Sequence, residues 1–337
     1  MKKIVRLVGL WEGLLVVLLV GSILLGSSLS PYFLYSNNFS NILGDLSEKS
    51  IMILSMMMII VVGEIDLSVA SILGLSSVVL GNLWMHNLPL WLCIVVALAV
   101  GTLAGFINGL LVTALGLPSL VVTLGTLALY RGCAYIVLGQ LAVSNFPDGF
   151  TTFGFGDIPG TIIPWPFVIF VVLAVMVIFV LHGSWIGRQL YTIGNNQIAA
   201  RFAGIRVARI KLILFTISGF ISGLAGVIFT ARFSSARADN ALGFELDVIT
   251  IVLLGGVSIF GGRGTLPGVI IALFVVGILR NAFALADFPT ETQSIIVGGL
   301  LVFSVLGPNA IVRLQEWLTR KHIVATITNY LQRSRSL

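Results

Sequence analysis

Charge is what this sequence has least of. Of 337 residues only 9% are charged and 58% are hydrophobic, where soluble domains carry about 25% charged residues. Such a chain cannot cover its folded surface for water, which excludes an ordinary soluble domain. Cysteine is nearly absent. Cys93 and Cys133 both fall in apolar runs, which excludes a disulfide framework and offers no metal-ligand spacing. His86, His182 and His322 lie far apart, and neither His-Glu-x-x-His nor Gly-x-Ser-x-Gly occurs. With no catalytic constellation in view, an enzyme is not expected. No Gly-Lys pair occurs either, so the chain lacks a Walker A loop and cannot hydrolyse ATP by that route. No metal and no cofactor of its own are expected.

What the chain has instead is apolar sequence in lengths that suit a bilayer. About 20 apolar residues of helix cross a hydrocarbon layer of roughly 30 Å. Such runs lie at 12–30, 49–63, 67–85, 90–115, 119–139, 163–182, 211–231, 247–261, 265–286 and 292–307. They predict an all-α polytopic transmembrane helical bundle of about ten spans.

Thirteen of the 19 basic residues fall in three polar segments. These are Lys2, Lys3 and Arg6 at the start, Arg188, Arg201, Arg206, Arg209 and Lys211 in mid-chain, and Arg313, Arg320, Lys321, Arg333 and Arg335 at the end. Basic residues gather in cytoplasmic loops, so both termini and the 183–210 loop are expected in the cytoplasm. Ten crossings allow that arrangement. The same placement accounts for the net charge of +6 without nucleic acid. Loops 31–48, 140–162 and 232–246 then lie outside, with Arg232 and Arg237 as mild exceptions. Met1-Lys2-Lys3 before an apolar run imitates a secretory signal, yet no small-x-small cleavage site follows, and a retained first span is expected. Residues 1–312 form one transmembrane domain in this reading. Residues 313–337 form a basic amphipathic tail suited to an anionic leaflet, with membrane lipid as its partner.

Two runs are short and end in glycine-bearing polar breaks: Gly63-Glu64-Ile65-Asp66, and Gly255-Gly256 with Gly261-Gly262-Arg263-Gly264. Irregular backbone at membrane depth survives only inside protein or beside a water-filled cavity, and paired glycine-interrupted segments point to a transport path. Within 183–210, residues from Asn196 to Ala203 read as a short helix stopped by Gly204. Its small residues and Phe202 suit docking into a groove of another protein; a solvated connector explains them equally well. Gly219, Gly223 and Gly226 at helical spacing read as close helix packing. Met56-Met57-Met58 reads as core or lipid-facing filler.

These segments resemble the permeases of bacterial monosaccharide importers of the ATP-binding-cassette type. The loop from Gly187-Arg188 through Gly194-Asn195-Asn196, Ala199-Ala200 and Gly204-Ile205 is similar to their coupling segment. So are Glu245-Leu246-Asp247, Leu254-Gly255-Gly256-Val257-Ser258 and Gly261-Gly262-Arg263-Gly264-Thr265, together with Phe106-Ile107-Asn108-Gly109 and Thr123-Leu124-Gly125-Thr126-Leu127. Gly63-Glu64-Ile65-Asp66-Leu67-Ser68-Val69 resembles the family's Gly-Gly-Ile-Asp-Leu-Ser-Val, with Glu64 in place of the second glycine. The matches spread from about residue 60 to 307. The rhamnose and autoinducer-2 branch of the ribose-type permeases looks nearest.

The resemblance implies a bacterial inner-membrane permease that pairs with a second permease subunit, identical or homologous. It also implies two cytoplasmic ATP-binding subunits and a periplasmic sugar-binding protein. A rhamnose-like sugar is favoured, with autoinducer-2 or ribose as alternatives. Gly194, Asn195, Ala199, Ala200, Arg201 and Gly204 are then the residues coupled to ATP hydrolysis on the partner, and small residues at Ala199, Ala200 and Gly204 are expected to matter for docking. An ion-coupled secondary transporter, with Glu64 and Asp66 as carriers, is the rival reading. An integral membrane enzyme would show clustered Asp or His at one interface, and none is there.

For the substrate path the candidates are Glu64, Asp66, Asn108, Thr126 and Asn281. Carboxylates inside a membrane suggest function, and Glu64 and Asp66 could bind hydroxyls if both face one cavity; alternatively Asp66, with Ser68, caps the third span. Asn108 and Asn281 can donate to and accept from a sugar, whereas Asn and Thr also bond neighbouring helices together. Interhelical bonding is favoured for Thr123 and Thr126. Arg131 is expected to reach back to the outer interface.

Overall fold

The computed structural model describes residues 2–304 and 306, with side chains from Trp11 onward. The 313–337 tail lies outside the described residues, as do the side chains of Lys2, Lys3 and Arg6. Twelve helices run α1 (Lys2–Leu29), α2 (Ser36–Val61), α3 (Val69–Met85), α4 (Leu90–Ala114), α5 (Ser119–Leu138), α6 (Asp148–Phe155), α7 (Trp165–Ile178), α8 (Trp185–Asn195), α9 (Gln197–Phe202), α10 (Val207–Phe233), α11 (Phe244–Leu254) and α12 (Leu266–Leu285). Residues 290–304 are again helical. Among the described residues there is no strand, only isolated bridges such as Val143 with Ala236.

Each of the ten apolar runs falls on a helix. Among the described residues six helices are long and apolar enough to cross a membrane: Trp11–Leu29, Leu90–Ala114, Ser119–Leu138, Trp165–Gly183, Val207–Phe233 and Leu266–Leu285. The exposed faces of α4, α5 and α7 are apolar, with Trp91, Val121, Ile136 and Phe179 outermost, as a lipid-facing surface requires.

Three boundaries differ from the sequence reading. Helix α2 begins at Ser36, so most of the expected outer loop 31–48 is helical. Asp45 and Glu48 lie in that stretch, and both are paired with Arg232, far along the chain. Helix α11 has only 11 residues, about 16 Å of rise, too little to cross a bilayer. The run continuing to residue 261 is turn. The 140–162 segment is not bare loop, because α6 lies within it and packs on α10. A Cβ on Gly154 would stand 2.2 Å from the Ala231 carbonyl carbon.

The core is organised around two helices. Every residue of α2 from Leu46 to Val61 is buried, enclosed by α7, α10, α11 and α12. A helix apolar on all sides belongs in the middle of a bundle, and Met56, Met57 and Met58 fill that core. Helices α4 and α10 form the most extensive pair. A Cβ on Gly105 would lie 2.3 Å from the Phe215 carbonyl oxygen, and one on Gly219 2.3 Å from that of Gly101. The two backbones touch, which glycine alone permits. Gly226 approaches Leu73 of α3 in the same way.

Candidate functional site

Both glycine breaks meet the 183–210 segment at one junction. After α2 the chain turns at Gly63 (φ +81°), and the 255–265 turn passes beside it with Gly261 (φ +83°) and Gly262 (φ +72°) in the left-handed region that favours glycine. Gly262 N–H donates to the last carbonyl of α2, Val61, at 2.8 Å. The end of α8 closes over this contact: a Cβ on Gly194 would lie 1.9 Å from the Val61 oxygen and 2.3 Å from Gly262 N. Asn195 Nδ2 donates to Tyr191 O at 2.8 Å and to Gly262 O at 3.5 Å. Tyr191 OH donates to Gly264 O at 2.8 Å. Helix α1 joins from the other side, where Trp11 Nε1 donates to Leu254 O at 2.9 Å and Glu12 accepts from Thr265 Oγ1 at 3.0 Å.

Helix α9 leaves this junction with both ends capped. The Asn196 side chain accepts from Ile198 N and Ala199 N, each at 3.0 Å. At the other end Gly204 (φ +82°) donates to Arg201 O and Ile205 N to Ala200 O, a left-handed stop that satisfies the last carbonyls. Phe202 is 89% exposed and Ile198 68% exposed, while Ala200 is fully buried in the chain itself.

A second constellation surrounds Asp66, which is fully buried. Its Oδ1 accepts from Ser68 N at 3.0 Å and Ser68 Oγ at 2.6 Å, and its Oδ2 from Ser218 Oγ at 3.0 Å. Asn108 Nδ2 donates to Ser68 Oγ at 2.7 Å, and Tyr130 OH donates to Asn108 Oδ1 at 3.1 Å. Buried polar groups of this kind survive because each has a partner. The network ties α3, α4, α5 and α10 together.

A third constellation is ionic. Arg232 at the end of α10 donates Nε to Glu48 at 2.8 Å and Nη1 to Asp45 at 2.7 Å. Asp247 of α11 receives Lys49 Nζ at 2.8 Å and Arg280 Nη2 at 2.5 Å. Glu48 and Lys49 are adjacent in α2 and pair with different helices, so α2 is held to α10 through one and to α11 and α12 through the other. Beside this belt lies a cavity of about 440 Å³, lined in part by Asn38, Asn41, Asp45, Arg232, Phe233 and Asn281. It opens at the start of α2, and the glycine junction lies at the end of the same helix.

Residues 38–305 match the family model described as a branched-chain amino acid transport system permease component. The chain belongs to this permease family. The autoinducer 2 import system permease protein of Klebsiella pneumoniae is 33% identical over 314 residues, 91% of this chain and 94% of the relative. The ribose import permease protein of Haemophilus influenzae is 35% identical over 287 residues, 84% of this chain and 88% of the relative. The autoinducer 2 permease protein of Escherichia coli K12 is 33% identical over 320 residues. No solved structure matches the chain. With its apolar helices the permease is a multi-pass inner-membrane protein.

In this permease the path candidates have different surroundings. Glu64 pairs with Lys211 of α10, and Asp66 is enclosed by its serines. Asp66 does accept from Ser68 N at the head of α3, while Ser68 occupies the N-cap position and makes no side-chain cap bond. Asn108 and Thr126 are buried between helices. Thr123 Oγ1 donates to Ser119 O at 2.8 Å and Ile65 O at 3.3 Å, while Thr126 Oγ1 reaches Thr123 O at 3.5 Å. Asn281 alone of the five lines the cavity, where it exchanges hydrogen bonds of 2.9 Å with Asn38. Arg131 is held by carbonyls: its guanidinium donates to Ala238 and Asn240 of the 232–246 loop at 2.7 and 2.8 Å and to Ala70 at 3.1 Å.

The coupling candidates divide. Gly194 and Asn195 belong to the junction, Ala199, Arg201 and Gly204 are exposed on α9, and Ala200 faces the interior. Ala200 is small because its own chain covers it. Asn38, Asp45, Glu48, Lys49 and Arg280 escaped the sequence reading as site residues, and Arg232 stood there only as an exception to the charge rule. The equal number of acidic and basic groups in the belt was the available signal. Among the described residues no group of three or more His, Cys, Asp or Glu could hold a metal ion.

Proposed function

We propose that this permease component carries a neutral sugar across the inner membrane, driven by ATP hydrolysed on separate cytoplasmic subunits. The similarity to ribose and autoinducer 2 import permeases over most of the chain carries this reading. Those relatives favour ribose or autoinducer-2 over the rhamnose-like sugar that the sequence motifs suggested. The basic residues near both ends and in the 183–210 segment support placing all three in the cytoplasm. A second permease subunit and a periplasmic binding protein complete the assembly.

Helix α9 is the contact with the ATP-binding subunit in this reading. A six-residue helix that leaves Phe202 and Ile198 in the open has an apolar surface suited to a partner's groove. The junction beneath it leads directly to α2 and to the 255–265 turn. Glu64 is paired with Lys211, and Asp66 accepts from Ser68 N and from the Ser68 and Ser218 hydroxyls, so the ion-coupled alternative has no observation in its favour.

The test is uptake into proteoliposomes that contain the permease with its ATP-binding subunits and binding protein. Accumulation of labelled D-ribose, L-rhamnose or autoinducer-2 that requires both ATP and the binding protein is expected. Phe202→Asp should abolish uptake while the protein inserts and melts as the parent does. Uptake without ATP that collapses with an uncoupler would replace this reading with an ion-coupled one.

A further inference from the structure

We propose that the cavity at the start of α2 is a binding site for one neutral, polyhydroxylated molecule of monosaccharide size, contained within a single copy of the chain. The proposal rests on the sugar-permease reading and adds a place and a ligand chemistry to it. The cavity measures about 440 Å³, within the roughly 300–1,000 Å³ of small-molecule sites. Three side-chain amides stand on its wall, those of Asn38, Asn41 and Asn281. An amide offers donor and acceptor side by side, the pattern that neighbouring hydroxyls match. Asn38 and Asn281 hold each other in place, whereas Asn41 is exposed and its amide has no partner among the described residues. Phe233 also stands on the wall, its ring packed against the Arg232 guanidinium and Phe229.

Charge selects the ligand class. Among the described residues Arg232 is the one cation lining the cavity, and its guanidinium is already shared between Glu48 and Asp45. Two carboxylates on one guanidinium leave no positive charge for an anion, so a sugar phosphate or an amino-acid carboxylate has no counter-ion here. Hydroxyls need none. They can accept from Nη2, which has no partner among the described residues, and donate to Asp45, whose side chain is 65% exposed. The family description names amino acids; the wall of this cavity suits a different solute.

Gly44 points the same way. It lines the cavity inside α2, yet no atom lies within 4 Å of where its Cβ would stand. Glycine is a poor residue for a helix interior, and packing does not require it here, unlike in the α4–α10 seam. The missing side chain leaves room in the cavity.

Gly44→Phe fills that room without striking backbone, and Asn41→Leu removes the unpartnered amide. Binding of labelled D-ribose, L-rhamnose and a panel of other neutral pentoses and hexoses is measured on the full-length permease in nanodiscs, with L-leucine as the zwitterionic control. Uptake is measured in parallel with the complete transporter. The expected result is binding of at least one sugar and not of leucine, lost at least tenfold in Gly44→Phe and weakened three- to tenfold in Asn41→Leu, with melting temperatures unchanged. Sugar binding abolished by Gly44→Phe, in a protein without ATP-driven uptake, would keep the cavity assignment and remove the importer reading. ATP-driven uptake that Gly44→Phe leaves intact would do the reverse. Equal binding of leucine, or no binding of any sugar together with unaltered Gly44→Phe uptake, overturns the proposal. If binding to the isolated permease is too weak to register, loss of uptake in folded Gly44→Phe supports it.

Discussion

Lys211 reaches Glu64 across 147 positions of sequence and ties the start of α10 to the turn that follows α2. At the opposite end of the same antiparallel pair, Arg232 of α10 closes on Glu48 and Asp45 of α2. Two central helices are thus fastened by ions at both ends, where their apolar faces alone would not fix how far one sits along the other.

Removing one member of such a pair strands the other. Lys211→Met should destabilise the permease by about 3 kcal/mol, the low end for a buried pair, since both side chains keep slight access to water. The double variant Glu64→Gln with Lys211→Met should recover most of the loss. Melting temperatures in detergent for the four members of the cycle measure this; additive losses would show that the two groups do not interact. ATP-driven uptake should survive in the double variant, because the pair is structural and carries no ion.

Asp66 accepts three hydrogen bonds and organises Asn108 through Ser68. Asp66→Ala leaves these donors buried without an acceptor, at about 1–3 kcal/mol for each group left unsatisfied. The yield of folded protein on size-exclusion chromatography should fall to a small fraction of the parent's. Asp66→Asn, which keeps one acceptor oxygen, should lose markedly less.

The α4–α10 seam separates glycines by what surrounds them. Gly105→Leu forces two backbones apart and should prevent accumulation of folded permease. Gly125, with nothing within 4 Å of its absent Cβ, should tolerate Gly125→Ala with a gain of up to about 1 kcal/mol from helix propensity. Expression level and melting temperature of the two variants distinguish the cases.

On α9 the caps and the exposed face should also separate. Asn196→Ala removes an N-cap worth about 1 kcal/mol and should lower stimulated ATP hydrolysis in the assembled transporter by loosening α9. Ala200→Glu places a carboxylate at a fully buried position, so its first effect should be misfolding, read as a lowered melting temperature. Phe202→Ala, at an exposed position, should leave stability within about 0.5 kcal/mol and act on ATPase stimulation alone.

The helices themselves were legible because apolar runs of bilayer length leave few alternatives. Asn196 and Gly204 were legible as the ends of α9, since capping is local chemistry. The start of α2 was not, because Glu48 and Lys49 become core residues only through Arg232, 184 positions from Glu48, and through Asp247. No pattern within α2 records those partners. The burial of Ala200 was illegible for a related reason: a small residue looks the same whether a partner or its own chain covers it. The cavity was invisible to sequence altogether, since α2, α6, α10 and α12 contribute its wall from positions scattered between 38 and 285.

Helix α2 starts at the cavity and ends beneath Gly194, with about 39 Å of helix between its ends. From Leu46 to Val61 it is clasped on every side and contains neither proline nor glycine, so it has little compliance along its axis. In the proposed transporter, a displacement at its Val61 end would be carried along this stretch toward the cavity as a pushrod carries it. The glycine turns at 63 and 261–262, where the backbone is left-handed, stand at the foot of that rod like bearings.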